Sequence, residues 1–521
     1  MRRGGLNRRE ILQGGGIAVI GAGGLTLAGI AGYAWPHSTE PAAAASIPAA
    51  PVTPPDARGV LHFATRPDLT PPALTVAHHD RAGATSPEYF ILAPAGYPRT
   101  GPGVPGLMIL DRSGGIVWYA PNTGFPASKG QGRMDLKVQS YRGQPVLTWW
   151  EGQVIKGYGE GTAVIADSSY RTIATIKAGR GLQADLHEFV ISPQDTALVT
   201  AYRPVTTDLS GVGGPAHGVA LSGVVQEIDI PTGKVLFEWD SLDHVPVTDT
   251  YAAFAGGTTA APFDYLHINS IAIAPDGDLL LSGRDTSAIY KVARPSGKVA
   301  WQLGGKRSSF GMGPGATFWF QHHITPLDAN TLSIFDDGGA PPQKEAQSRA
   351  ILLDLDTSAM KATLKRSYTH PAGLAAANQG SMQVLDDGRV LVGWGNLPYF
   401  PEFAGDGTLL LDGQFPVGDQ SYRAFTADWA GHPTDKPAAA ARINPAGGSV
   451  VYASWNGATA VDTWTVLAGK TSGTLTRVGS QRRAGFETAI TVNTEGPYFA
   501  VTADDTAGHV LAQSATILLE K

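Results

Sequence analysis

Short apolar stretches recur along the chain, and a polar turn separates each stretch from the next. The repeated pattern is an apolar strand, a turn and a second strand that often ends in an aromatic residue, which is typical of β-hairpins. The turns at 232–234 and 296–298 contain glycine, which readily adopts the positive φ of a tight hairpin. Six copies occur, with turns 56, 62, 64, 61 and 58 residues apart, at 106–121, 162–179, 224–240, 288–304, 350–368 and 408–425.

Each copy follows another strand pair around a polar turn. The clearest of these pairs lie at 189–203, 271–285 and 382–396. Each repeat is therefore a unit of about four short strands, and four-stranded units repeated radially form a β-propeller. The sequence predicts an all-β protein with a six-bladed β-propeller over roughly residues 75–430. An open array of β-sandwiches is the alternative, and the absence of a matching two-sheet alternation argues against it.

The repeat stops after HPTDKPAAA at 432–440, and the last part of the chain has a different pattern. Short alternating strands over about 80 residues are typical of a small immunoglobulin- or fibronectin-like β-sandwich. We therefore divide the chain into four parts. They are an export signal at 1–36, a Pro/Ala-rich spacer at 37–60, a six-bladed propeller catalytic domain at 61–433 and a C-terminal β-sandwich at 434–521.

The first 36 residues combine a basic start with a glycine-rich apolar stretch. Arg8 and Arg9, followed by Glu10-Ile11-Leu12, have the form of a twin-arginine export signal. An ordinary transmembrane anchor is the alternative, but the glycine-rich stretch is only weakly hydrophobic. We expect the twin-arginine translocation machinery as a partner during export. We also expect a location in the cell envelope or outside the cell, with a tether if the signal is not cleaved.

Composition supports β structure and excludes several functions. The chain has 65 glycines, 27 tryptophans and tyrosines together, and only 16% charged residues, which favours rigid, turn-rich strands. The net charge is −6, and −9 without the export signal, so a nucleic-acid partner is not expected. No cysteine is present, which excludes disulfides, thiol catalysis and thiolate metal sites. The oligomeric state stays open.

Histidine recurs at one position of three neighbouring repeats, just before the first strand pair. These residues are His187, His267 and the adjacent His322 and His323, out of 13 histidines in all. In a propeller this pair begins with the innermost strand, so the equivalent positions converge around the central channel. Because successive strand side chains alternate between faces, only one of the tandem histidines points inward. The repeat alignment selects His322, and His323 then faces the blade packing or a neighbour.

A basic side chain is expected beside these histidines. Arg284 ends the strand that returns next to His267, and a guanidinium in a channel is suited to binding a tetrahedral anion. A salt bridge to Asp285 is the alternative. Asn269 lies on the same strand face as His267 and offers an amide to the same ligand. Orienting carboxylates are available in Asp185 and Asp264.

These motifs resemble the bacterial aryl sulfotransferases, which are exported six-bladed propeller enzymes that need no nucleotide sulfate donor. The segment LHINSIAIAPDGDLLLSGRD at 266–285 is similar to the family's His-x-Asn-Ser strand and its anion-binding arginine. FQHHI resembles the segment with the nucleophilic histidine, which implies that role for His322. The resemblance also implies that His187, His267 and Arg284 contact the sulfuryl group.

The expected function is transfer of a sulfuryl group from a phenolic sulfate ester to a phenolic acceptor through a covalent sulfohistidine. Sulfuryl transfer, like phosphoryl transfer, has a loose transition state, so positioning and electrostatic stabilisation are the protein's main tasks. Asn269 and His323 are expected to bind substrate, and no cofactor or metal is expected. Two alternatives stay open, namely a metal-dependent propeller enzyme that uses the inner-strand histidines and a non-catalytic exported ligand-binding propeller.

Overall fold

The computed structural model of the protein describes residues 54–79, 88–95, 101–126 and 129–520. All of them belong to one compact unit, His37–Lys521. The predicted export signal and most of the predicted spacer lie outside the described residues. The end of that spacer packs on the fold, since Val60 is buried and pairs with Pro72. No helix in the described ranges is both long and apolar enough to cross a membrane.

The chain is all-β, and its described helices are three short 3-10 helices at Ser210–Val212, Ser241–Asp243 and Val247–Asp249. The first 27 strands lie between residues 75 and 427. They are β1 (Thr75–His78), β2 (Tyr89–Ala95), β3 (Gly106–Leu110), β4 (Ile116–Pro121), β5 (Gln131–Tyr141), β6 (Gln144–Ile155), β7 (Tyr158–Ala166), β8 (Thr172–Ile176), β9 (Phe189–Ile191), β10 (Thr196–Thr207), β11 (Gly218–Asp229), β12 (Val235–Asp240), β13 (Phe263–Asp264), β14 (Ile268–Ile273), β15 (Leu279–Gly283), β16 (Ala288–Ala293), β17 (Lys298–Gly304), β18 (Gly311–Met312), β19 (His322–Pro326), β20 (Thr331–Asp336), β21 (Arg349–Asp356), β22 (Lys361–Tyr368), β23 (Ser381–Val384), β24 (Val390–Gly393), β25 (Glu402–Phe403), β26 (Leu409–Gln414) and β27 (Gln420–Ala427).

These strands form six mainly antiparallel sheets. The hydrogen-bonded orders are β27-β2-β3-β4, β5-β6-β7-β8, β9-β10-β11-β12 with β13 on β11, β14-β15-β16-β17, β19-β20-β21-β22-β18 and β23-β24-β25-β26-β1. The first strands of these sheets contact one another in the closed cycle β27, β5, β9, β14, β19, β23 and back to β27. Such radial packing of small sheets around a common centre is a β-propeller.

The last strand of the six sheets, β27, closes the ring by joining the first sheet. β27 pairs with β2, with Ala427 opposite Tyr89 and Phe425 opposite Ile91. Residues 408–425 were predicted to form one strand pair within the sixth unit, and this prediction was wrong. β26 stays in the sixth sheet while β27 completes the first, because a radial fold leaves open sheet edges until its first and last units share a sheet.

Apolar side chains fill the space between neighbouring sheets. β15 is buried along its whole length, because a sheet packs against each of its two faces. Its Leu279 and Leu281 belong to a cluster that also holds Leu198, Trp239 and Tyr290 from the same and the preceding sheet. This packing fixes the ends of the inner strands, where the candidate site lies.

Two further sheets follow in the C-terminal part. Their strands are β28 (Ala438–Ile443), β29 (Ser449–Ser454), β30 (Thr463–Thr471), β31 (Thr474–Arg482), β32 (Glu487–Val492), β33 (Tyr498–Asp504), β34 (Val510–Gln513) and β35 (Ile517–Leu518). The orders are β28-β29-β32 and β31-β30-β33-β34, with β35 on β33. Trp464 and Phe499 lie in the apolar core that the two sheets share. The side chain of Asn456 holds this part to β4 through both backbone groups of Tyr119, each at 2.9 Å.

Candidate active site

The three histidine segments lie where inner strands of the ring begin. His187 precedes β9, His267 precedes β14 and His322 is the first residue of β19. Two of these strands start with an irregularity in pairing, between Ile268 and Ser270 in β14 and between His322 and Thr325 in β19. His267 has a φ of 53°, a conformation that non-glycine residues rarely adopt. Bulges and strained backbone of this kind re-aim side chains near functional sites.

His187 is buried and paired with a carboxylate. Its Nδ1 lies 2.6 Å from Oδ2 of Asp185, which also accepts the backbone N–H of His187 and the hydroxyl of Thr200. The other oxygen of Asp185 accepts the N–H of Gly159 at 2.6 Å. These bonds to an ionised carboxylate place the imidazole proton on Nδ1. Burial lowers the pKa of His187, so this ring is neutral at pH 7.

His267 is also paired with a carboxylate, but its pKa is shifted in the opposite direction to that of His187. Its Nδ1 lies 2.6 Å from Oδ2 of Asp264, and its backbone oxygen accepts the N–H of Arg284 at 3.0 Å. Burial alone would lower the pKa of His267, but the carboxylates of Asp264 and Asp285 outweigh it and raise the pKa. His267 therefore keeps its second proton to higher pH than His187 does.

The hydrogen bonds of His322 fix its tautomer. The backbone N–H of Gln379 donates to Nε2 at 3.1 Å, so this nitrogen carries no proton. The proton is therefore on Nδ1, which lies 2.7 Å from Oδ2 of Asp337 and 3.2 Å from the backbone oxygen of Phe320. Burial and the positive charge of Arg284 lower the pKa of His322 well below its usual value. His322 is thus a neutral imidazole with its lone pair on Nε2.

The structure brings these three histidines together. The rings of His187 and His267 meet edge to face with centroids 4.7 Å apart. Tyr422 links the group, since its ring centroid lies 5.8 Å from that of His187 and 6.5 Å from that of His322. Tyr202 closes another side, 6.3 Å from the ring of His187. Residues that are far apart in the chain therefore form one buried cluster.

Arg284 belongs to the same cluster and is held on several sides. It forms the salt bridge to Asp285 that the sequence analysis gave as an alternative. It also donates to the backbone oxygen of Ala377 at 2.9 Å, and its guanidinium carbon lies 5.2 Å from the ring centroid of Phe320. Its Nε atom is buried and has no hydrogen-bond partner among the described residues. One donor is therefore left for a ligand.

Other buried polar atoms around the histidines also lack partners within the described ranges. They are Oδ1 of Asn269, Oε1 of Gln321 and Oδ1 of Asp337. Buried polar groups in native proteins are nearly always hydrogen-bonded, so a cluster of unsatisfied atoms indicates a place for water or a ligand. Of these atoms, Oδ1 of Asp337 belongs to the carboxyl group that contacts His322, and Asn269 is bonded to the backbone of Gln321, the residue before His322.

The two predicted substrate-binding residues lie beside the cluster. Asn269 is buried and donates its amide to the backbone oxygen of Gln321 at 2.7 Å. His323 has a φ of 45°, so it does not follow regular strand alternation. Its Nδ1 accepts the N–H of Met382 at 3.3 Å, and its ring centroid lies 5.3 Å from that of Phe425. His323 thus contacts neighbouring sheets rather than the other histidines.

A buried charge network lies next to the site. Arg423 on β27 is completely buried and forms ion pairs with Asp135 on β5 and Glu188 beside β9. Lys137 pairs with the same two carboxylates at 2.9 and 2.6 Å. Burial and the charge of Arg423 lower the pKa of His323 to about 3. These charges join inner strands of the first three sheets, since β27 belongs to the first.

One group in the described part of the chain has the geometry of a cation site. Ligand atoms of Asp264, His267 and Asp285 lie within 4.8 Å of one another. A carboxylate–imidazole set is suited to several divalent metals. The Arg284 guanidinium already pairs with Asp285 there, and its positive charge opposes a bound cation.

Sequence reasoning missed Asp337, Gln379 and Tyr422. Asp337 follows the second strand of its sheet, β20, as Arg284 follows β15. That shared position was a usable signal for Asp337. Gln379 acts through its backbone N–H, and Tyr422 lies on the distant strand β27, so neither carries a local signal.

The site is thus a group of carboxylate-paired histidines at the start of the inner propeller strands, with an arginine from the end of a second strand beside them, and such a group is suited to binding an anion. The chain belongs to the arylsulfotransferase (ASST) family, whose model matches residues 137–416. No curated protein has significant sequence similarity to the chain.

Solved structures with similar folds share little sequence with this chain. A protein of unknown function from Bacteroides caccae has 13% identity and a TM-score of 0.39, covering 66% of this chain and 99% of that one. A periplasmic gluconolactonase from Pseudomonas aeruginosa has 12% identity and a TM-score of 0.33, covering 83% and 96%. Virginiamycin B lyase from Staphylococcus aureus has 9% identity and a TM-score of 0.29, covering 56% and 95%.

Proposed function

We propose that the protein is an aryl-sulfate sulfotransferase that moves a sulfuryl group from a phenolic sulfate ester to a phenolic acceptor. The observation that carries the proposal is the convergence of His187, His267 and His322 with Arg284 in a member of the arylsulfotransferase family. Neither a nucleotide donor nor a metal takes part in the proposed reaction.

In the first half-reaction, the Nε2 lone pair of His322 attacks sulfur. The sulfur–oxygen bond to the aryl group breaks, and the phenolate leaves with its electron pair. The sulfuryl group displaces the Gln379 N–H from Nε2 and gives that donor a sulfuryl oxygen to bind. Burial raises the pKa of Asp337 well above its usual value, but the imidazole becomes cationic on sulfation, and this positive charge at Nδ1 favours the ionised carboxylate that stabilises it.

Proton transfer is assigned to His267, because its pKa is raised whereas those of His187 and His322 are lowered, so it keeps its second proton to the highest pH of the three. It protonates the departing phenolate, and as the neutral base it then takes the proton of the acceptor phenol. The acceptor oxygen attacks sulfur, the nitrogen–sulfur bond breaks, and neutral His322 is restored. The free Nε of Arg284 and a His187 ring protonated in the field of the sulfate bind the sulfuryl oxygens.

The proposal is tested by incubating the purified protein with 4-nitrophenyl sulfate, with and without a second phenol. We expect nitrophenol release that accelerates with the second phenol, together with a sulfuryl adduct on the intact protein. The adduct should be absent from His322→Ala and present in His217→Ala, an exposed histidine outside the site. Nitrophenol release at a rate that does not change with the second phenol would indicate a sulfatase. The absence of an adduct from the wild type would contradict the covalent step.

A second candidate is a metal-dependent enzyme, and the Asp264, His267 and Asp285 group favours it. Elemental analysis of protein purified without chelator decides between the two. Stoichiometric metal that is lost in His267→Ala would support the metal enzyme, and metal-free active protein would support the sulfotransferase. A non-catalytic binding propeller would show neither turnover nor adduct.

We further propose that the six sheets are the six blades of one propeller domain at 61–433 and that 434–521 is a β-sandwich domain. The closed contact cycle of the inner strands and the separate core around Trp464 support this division. Proteolysis with mapping of fragments tests it. Cleavage near residue 434 should release two resistant pieces, whereas cleavage within the sheets would contradict the division.

We also propose export by the twin-arginine pathway, which rests on Arg8 and Arg9 in the sequence. Replacing both with lysine should retain the protein in the cytoplasm in a fractionation experiment. Unchanged export would contradict the proposal.

A further inference from the structure

Two aromatic residues lie beside the cluster without serving the proposed reaction. The rings of Tyr251 and Trp319 meet edge to face with centroids 5.0 Å apart, and both side chains are partly exposed. Aromatic groups favour edge-to-face or offset-stacked contacts with one another, so the partly exposed parts of these rings are suited to packing against a further aromatic group.

Backbone hydrogen bonds fix this pair against the candidate active site. The N–H of Tyr251 donates to the backbone oxygen of Asp285 at 2.7 Å, next to Arg284. The N–H of Trp319 donates to the carboxylate of Asp336 at 2.8 Å, next to the carboxylate that holds His322. The aromatic pair is therefore anchored to the two segments of the chain that carry Arg284 and Asp337.

Two lysines flank the aromatic pair. The Nζ of Lys344 lies 5.0 Å from the ring centroid of Trp319, and the Nζ of Lys306 lies 5.1 Å from that of Tyr251. Lys306 donates to two backbone oxygens, those of Thr248 and Thr250. Within the described residues, the ammonium group of Lys344 has no carboxylate partner, so its charge is available to a ligand.

The carboxylates nearest to these lysines do not cancel their charge. Asp249 pairs with Arg307 at 2.9 Å, and Glu345 pairs with Arg349 at 3.8 Å. Four cationic side chains (Lys306, Lys344, Arg307 and Arg349) and three carboxylates (Asp249, Asp336 and Glu345) border the aromatic pair, so one positive charge is in excess there, although the protein as a whole carries −6. A local field of this sign favours anionic ligands.

We propose that Tyr251, Trp319, Lys306 and Lys344 form an aryl subsite that selects phenols with a second anionic group on the ring. Hydroxybenzoates and their sulfate esters represent this class. That the ligand is a phenol rests on the proposed function. The ring packs against the aromatic pair, the sulfated or free hydroxyl oxygen points to His322, and the second anion pairs with Lys344.

The test compares binding of 4-hydroxybenzoate and its methyl ester to the full chain by isothermal titration calorimetry. The two ligands share the ring and the phenol and differ in charge. The wild type should prefer the carboxylate by about threefold to tenfold, the range that one or two partly exposed ion pairs provide. In Lys344→Met the preference should disappear, so that the two ligands bind about equally. Lys234→Met, an exposed lysine on another hairpin, should keep it.

Equal binding of both ligands to the wild type, or an undiminished preference in Lys344→Met, would overturn the subsite. The binding measurement does not depend on catalysis. Preferential binding without turnover of any aryl sulfate would therefore support the subsite and refute the proposed function. Turnover of 4-nitrophenyl sulfate without any preference for 4-hydroxybenzoate over its methyl ester would refute the subsite and support the proposed function.

Discussion

The imidazole rings of His187 and His267 lie with centroids 4.7 Å apart, yet their environments favour different protonation states. Burial lowers the pKa of His187, whereas nearby carboxylates overcome burial and raise that of His267. Adjacent groups whose pKa values are pushed apart are suited to separate acid and base roles. The acid role that we propose for His267 rests on this difference.

The rate should therefore depend on pH in a way that reflects the leaving group. Because the pKa of His267 is raised, the acid is present below that pKa and is lost as the pH rises through it. Phenyl sulfate, whose phenolate is a strong base, should lose kcat/KM with rising pH much more than 4-nitrophenyl sulfate. His267→Gln should remove the difference. Identical profiles for both donors in the wild type would contradict the acid role.

Replacing Asp337 with asparagine should disable the nucleophile while leaving the fold intact. The Asn oxygen can still accept the Nδ1–H of His322, and the Gln379 N–H keeps the lone pair on Nε2, but the amide cannot carry the negative charge that stabilises the cationic sulfohistidine. We expect adduct formation to slow by about a hundredfold to ten-thousandfold, as in other carboxylate-oriented histidines. Rapid-quench mass spectrometry measures the rate, and circular dichroism checks folding. A rate within about threefold of the wild type would refute the charge-stabilising role of Asp337.

The repeat made the main part of this site predictable from sequence. In a propeller, equivalent repeat positions meet near the axis, so aligning His187, His267 and His322 was enough to expect their convergence. The same alignment placed Arg284 beside them. The local turn chemistry also identified the hairpins, including β16–β17 around Gly297.

Other features had no local pattern to reveal them. Strand alternation could not describe His323, because a bulge and a positive φ interrupt β19. The transfer of β27 to the first sheet depends on closure of the whole ring. The role of Arg423 depends on carboxylates 288 and 235 residues away, Asp135 and Glu188.

Removal of Arg423 should destabilise the propeller strongly. Arg423→Met leaves the buried carboxylates of Asp135 and Glu188 with only Lys137 as a cationic partner, and breaking a buried ion pair costs about 3–5 kcal/mol. Urea unfolding followed by tryptophan fluorescence should show a lower midpoint with a similar slope.

Arg442→Met provides the matched control for this prediction. Arg442 pairs with Glu520 across an exposed surface, at 56% and 66% side-chain exposure. Exposed ion pairs contribute little, so its midpoint should stay close to that of the wild type. Equal midpoints for Arg423→Met and Arg442→Met would show that the buried network does not hold the ring together.

Acid should destabilise the protein through His323. Burial and Arg423 lower its pKa from 6.5 to about 3 in the folded chain, so the unfolded chain takes up the proton first. Stability is therefore lost as the pH falls from about 6.5 toward 3, by up to about 1.4 kcal/mol per pH unit for this residue.

His323→Gln keeps an acceptor for the Met382 N–H but cannot be protonated. Its urea midpoint should fall less than that of the wild type between pH 7 and pH 5, whereas His217→Gln, in an exposed loop, should follow the wild type. Parallel loss of stability in His323→Gln and the wild type would assign the acid sensitivity to other groups.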